Sequence, residues 1–219
     1  MSEVRALRAH YPVRVGHLAS GSLAVAAKAH GRACTVLLSS HFERYLYAVN
    51  EEAVDWLNAN PYPLSALPEE IILLHSQDAI DDLGRTGWLK RATKLREFLL
   101  TDGPLWAPAS STGSLDHSRL LTWMKTPKPY EVLRFYRQYG IDDVFTSITR
   151  SKQARSELWL TINELVEKRN NIAHGDMQTE SLPSSITTYT NVVVRFTESA
   201  DKLLARNLRR RCGTLAAPW

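Results

Sequence analysis

QARSELWLTINELVEKRNNIAHG, residues 153–175, repeats its large apolar side chains at intervals of three and four: Leu158, Ile162, Leu165 and Val166. That interval is the period of one face of an α-helix. It predicts a helix from Gln153 to His174, with Gly175 supplying the stop. Arg169 and Ala173 continue the same stripe, so Arg169 falls where a core residue is expected. Burying a guanidinium is unfavourable unless it is paired or meets an anion. A salt bridge to a neighbouring acid such as Glu43 is one explanation, and an anionic ligand is another.

Outward from this helix the chain keeps the same period. Leu38, Phe42, Tyr45, Leu46, Val49, Ala53, Trp56 and Leu57 predict a helix over Val36 to Leu57, closed by Pro61 and Pro63. Pro68 followed by two glutamates opens another helix running towards Leu83. Beyond Gly84 and Gly87, the residues Leu89, Ala92, Leu95, Phe98 and Leu99 line a helix from Trp88 to about Leu100. The segment 101–129 is rich in Gly, Pro, Ser and Thr, with Pro104, Pro108, Ser110, Ser111, Gly113, Pro127 and Pro129, and reads as a long irregular insertion.

Helical character returns over Tyr130 to Tyr139, where Gly140 suits a left-handed cap, and over Asp142 to Ile148. A last helix, capped by Ser184 or Ser185, carries Ile186, Tyr189, Val193, Phe196, Ala200, Leu203, Leu204 and Leu208. No strand-type alternation and no internal repeat separates these segments. The expected fold class is all-α, with a helical domain over 31–211, an N-terminal extension over 1–30 and a tail over 212–219.

A chain of 219 residues, 44% hydrophobic and 23% charged, can build one sizeable core and is not a disordered polymer. Its apolar runs fall far short of the ~20 residues of a membrane-spanning helix. Arg5, Arg8 and Arg14 are not followed by the apolar core of a secretory signal, so the expected location is cytoplasmic. Cys34 and Cys212 are far apart in sequence and read as free thiols. His10, His17, His30, His41, His75 and His117 lack ligand spacing, and no Gly-rich phosphate loop is present, so no metal or cofactor is expected. The net charge of +4 permits a polyanionic partner such as RNA.

Asn170 and His174 lie four residues apart and Arg169 is one ~100° step away, so the three form a polar corner at a helix end. An arginine that holds a phosphate and a histidine that moves protons suffice for one reaction. In RNA the 2′-hydroxyl already sits beside the phosphate as a built-in nucleophile. The protein need only deprotonate it, stabilise the developing charge and protonate the leaving 5′-oxygen.

The residues EKRNNIAHG, 167–175, resemble the signature of the HEPN superfamily: an arginine, a polar residue, then a histidine, here Arg169, Asn170 and His174. GRACTVLLSSHFERYL, 31–46, looks like the first core helix of the RiboL-PSP or MAE-type HEPN groups, with Glu43 near its middle. With FYRQYGIDDVF, 135–145, the likeness spans roughly residues 30 to 210. The resemblance implies an up-and-down four-helix bundle with additional helices. It also implies a metal-independent endoribonuclease leaving a 2′,3′-cyclic phosphate and a 5′-hydroxyl, working as a homodimer with a composite active site. In it Arg169 would contact the phosphate, Asn170 would orient the pair, His174 would serve as acid or base, and Glu43 would support them. Such proteins commonly act as toxins or antiviral defence effectors with an antitoxin or defence-system partner protein. A non-catalytic adaptor or RNA-binding subunit is the alternative, and a plain helical scaffold with Arg169 as an ion-pair residue is a third.

Lys168, Arg206, Arg209 and Arg210 are candidate RNA-backbone contacts. Basic residues at a helix end also complement the dipole and stay solvated, and Arg5, Arg8, His10 and Arg14 read the same way. Trp56, Trp88, Trp106, Trp123 and Trp159 are expected in packing or a dimer contact, and Trp219 in a tail.

Overall fold

In a computed structural model, which describes residues 22–60, 62–107, 115–214 and 218, helix α1 runs from Ser22 to Ala59. It starts well before the expected Val36 and passes through Gly31, so the expected boundary at residue 30 falls inside a helix. A mid-helix glycine is unfavourable by about 1 kcal/mol, but Ala26, Ala27, Ala29 and Ala33 around it have the highest helix propensity. The remaining helices are α2 (Glu69–Arg85), α3 (Trp88–Thr101), α4 (Pro129–Arg137), α5 (Val144–Ile148), α6 (Lys152–Ala173) and α7 (Pro183–Cys212). No strand occurs among the described residues, and the fold is all-α. The residues Arg5, Arg8, His10, Arg14, His17, Pro108, Ser110, Ser111, Gly113 and Trp219 lie outside the described ones.

Two helix starts differ from expectation in an instructive way. α7 begins at Pro183 rather than after a serine cap, because proline lacks only an N–H that the first turn leaves unbonded anyway. α6 begins at a cap that the sequence reading passed over: Ser151 accepts a hydrogen bond from the Ala154 amide at 3.3 Å.

The chain divides into two compact units. The first comprises residues 22–46, 126–132 and 145–200. Its core gathers Leu38, Phe42 and Leu46 of α1, Leu158, Ile162, Leu165 and Val166 of α6, and Ile186, Tyr189, Val193 and Phe196 of α7. Phe42 meets Phe196 edge-on at 5.8 Å, and Phe145 links Phe196 to Trp159. The apolar stripe of α6 is buried as its spacing predicts, up to Val166. Ala173 is exposed instead, because the last turn of the helix extends past the core.

The second unit comprises residues 47–125, 133–144 and those from 201 onward. Asn50 is buried with both ends of its amide used: it donates to the His117 carbonyl at 2.8 Å and accepts from Tyr139 at 2.8 Å and Gln138 at 3.2 Å. Asn58 exchanges two hydrogen bonds with the Leu115 backbone. The described residues between Asp102 and Lys128, which form no α-helix and contain two short 3-10 turns, are thereby fastened to α1. Gly140 has φ +76°, the left-handed cap that its position suggested. In this unit α3 differs most from expectation: it buries none of its residues. Trp88 is 80% exposed and Leu89 96% exposed.

Candidate active site

The site lies in the first unit, where α6 ends. The Gly175 amide bonds to the Ile172 carbonyl at 3.0 Å and the Asp176 amide to the Asn171 carbonyl at 3.0 Å, while Gly175 takes φ +85°. This is the Schellman arrangement, which satisfies the orphan carbonyls of a helix end. His174 is the last residue before that turn and its side chain is exposed. The chain beyond is also fixed: Asp176 accepts from the Gln178 amide and the Thr179 hydroxyl, and Thr35 of α1 donates to Ser181 at 2.7 Å. The hydrogen bonds from Thr179 and Gln178 hold the Asp176 carboxyl below the usual carboxylate range.

Five residues before His174, the Arg169 guanidinium stands at the edge of the core rather than inside it, with 26% of its side chain exposed. One terminal nitrogen bonds to the Asn170 side-chain oxygen at 3.0 Å. The other meets Glu43 of α1 at 3.3 Å. A guanidinium has about five N–H donors in a planar fork, so these two contacts fix its orientation and leave donors for an anion. Glu43 and Arg169 form a partly exposed pair. Asn170 is turned to Arg169. The imidazole of His174 makes no hydrogen bond or ion pair to a described residue and is open to an incoming ligand.

Lys168, expected as an RNA-backbone contact, has partners within the fold. Its ammonium pairs with Glu164 at 3.0 Å and lies 5.5 Å from the centre of the Tyr189 ring. Burial by itself would lower its pKa, but Tyr189 and Glu164 outweigh that and raise it, so it stays charged and is already partnered. The signal was legible: a glutamate four residues before a lysine on a helix. Lys128 approaches Glu167 at 3.8 Å, a contact between distant segments that spacing does not reveal.

Arg206, Arg209 and Arg210 belong to the second unit and are exposed. Arg210 bonds to Asn207 at 3.1 Å, and the adjacent Arg211 donates to the Gly140 carbonyl at 3.2 Å. Cys34 and Cys212 are free thiols, and burial raises the pKa of each. Among the described residues no cluster of His, Cys, Asp or Glu is arranged to hold a metal ion. No described helix is long and apolar enough to cross a membrane.

No curated protein and no solved structure matches the chain. Residues 25–206 match the family model described as RiboL-PSP-HEPN, within a superfamily whose domains are often RNases. With that match covering most of the helical chain, the protein belongs to the RiboL-PSP-HEPN family, a group of RNase-like or RNA-related function.

Proposed function

We propose that the protein is an endoribonuclease that cleaves RNA through attack of the 2′-hydroxyl on the neighbouring phosphate, leaving a 2′,3′-cyclic phosphate and a 5′-hydroxyl. The observation that carries the reading is the end of α6: a guanidinium oriented by Glu43 and Asn170 with donors to spare, and five residues on a solvent-facing imidazole without a partner among the described residues. Arg169 holds a non-bridging phosphate oxygen and stabilises the charge that grows on it. His174 takes the 2′-hydroxyl proton as base or delivers one to the departing 5′-oxygen as acid. One histidine can serve one of these roles at a time. A second copy of the site, meeting the first across a two-fold axis, supplies the other and completes a composite centre. No Ser, Cys or metal-bound nucleophile is needed for this chemistry. Membership of the family supports a role as a toxin or antiviral defence effector restrained by a partner protein.

The test is incubation of the full chain with mixed RNA in EDTA, beside His174→Ala and Arg169→Ala. Cleavage by the natural chain, products ending in cyclic phosphate, and a drop of at least ~100-fold in each variant are expected. RNA binding without cleavage would identify an adaptor instead, and neither binding nor cleavage a helical scaffold.

A further inference from the structure

Helix α3 presents a wide apolar face that no described residue of its own unit covers. Trp88, Leu89, Leu95, Leu99 and Leu100 are 80%, 96%, 43%, 57% and 74% exposed. Together they display on the order of 700 Å² of surface, close to the ~800 Å² that each partner contributes to a standard protein interface. Patches of this size on a folded chain mark association surfaces.

The order of these residues along the helix specifies the occupant. Reflection about Lys94 exchanges Trp88 with Leu100 and Leu89 with Leu99. A face with this internal symmetry is complementary to itself when a second copy of the helix lies antiparallel against it about a two-fold axis perpendicular to the helix. Charge agrees. Beyond the charges already paired within the chain, α2 carries Glu69, Glu70 and Asp78 and α3 carries Lys90 and Arg96, so a copy brings opposite charges to the rim. RNA is a poorer occupant, because two of the cations are engaged within the hairpin. Lys94 pairs with Asp82 at 3.2 Å and with Glu97 at 3.1 Å. Arg91 lies 5.7 Å from the Trp88 ring and donates to the Thr86 carbonyl at 3.1 Å.

We infer that α3 is a homotypic interface: two copies of the chain pair through antiparallel α3 helices, with Trp88 and Leu89 of one against Leu100 and Leu99 of the other. This contact belongs to the second unit and does not depend on the nuclease reading.

Light scattering of the full chain at several concentrations, beside the double variant Leu89→Glu/Leu99→Glu, tests it. Both side chains are exposed, so the variant is expected to keep the helical circular dichroism of the natural chain while its particle mass is halved. The register is tested by Leu89→Cys/Leu99→Cys, which on mild oxidation should give a reductant-sensitive pair of chains that the natural protein does not form. A natural chain of single-chain mass, or a mass unchanged by the double glutamate variant, would overturn the interface. Halving of mass without the cysteine cross-link would overturn the antiparallel register.

Discussion

Glu43 decides between two accounts of Arg169. If the pair exists to hold the fold together, removing the carboxylate costs stability. If it exists to aim the guanidinium, removing it costs rate. Both side chains are about a quarter exposed, 26% for Arg169 and 25% for Glu43, so water screens the pair and its contribution to stability is within about 1 kcal/mol. Misdirecting an anion-holding group weakens the transition state much more than the fold. Glu43→Ala is therefore expected to slow RNA cleavage about tenfold, equivalent to ~1.4 kcal/mol of barrier, with a near-unchanged melting temperature. A lowered melting temperature with full cleavage would identify Arg169 as a structural ion-pair residue. The sequence made this partnership legible only as one possibility, since a stripe position shows that a charge needs a partner and not which residue supplies it.

At the scale of elements, the turn after α6 sets where His174 stands. Gly175 has φ +85°, and a Cβ added there meets nothing within 4 Å, so Gly175→Ala suffers from backbone conformation and not from crowding. The left-handed region disfavours an L-residue by about 1–2 kcal/mol. The variant should lose about 1 kcal/mol in chemical denaturation and, by unwinding the helix end that carries His174, lose cleavage several-fold. Equal activity in the variant would mean that this turn does not position the imidazole. Helix identities and this stop were readable because the 3.6-residue period and a terminal glycine are local signals. What the period does not reveal is whether a stripe has anything to pack against. The stripes of α3 and α6 look alike in sequence, yet Leu158, Ile162, Leu165 and Val166 are buried while no residue of α3 is. Equally silent is the fastening of segment 101–129, which depends on Asn50, Asn58 and His75, polar residues whose partners are 40 or more positions away.

For the molecule as a whole, the buried cluster around His75 makes stability depend on pH. The Asp116 amide donates to Nε2 of His75 at 2.9 Å, which requires a lone pair there. Nδ1 therefore carries the hydrogen and faces Asp102 at 3.2 Å. Asp102 in turn meets Arg119 at 3.0 Å, leaving the histidine neutral beside an already balanced ion pair. Burial, then the Arg119 charge, lowers the His75 pKa from its ordinary 6.5. An unfolded chain takes up this proton near pH 6.5 and the folded chain only at lower pH, so between those two values acid favours unfolding. Stability from this group is present above about pH 6.5 and is lost as pH falls through the folded value. Asp116, held below its usual 3.8 by Ser118, adds a separate loss as pH falls towards and through that value. Melting temperature is thus expected to fall between pH 7.5 and 5, and His75→Gln, which keeps a donor and an acceptor but cannot titrate, should flatten that slope while leaving the steeper loss below pH 4. A variant that melts with the slope of the natural chain would show that His75 ionises freely within the fold, and that its bond to the Asp116 amide does not hold segment 101–129 in place.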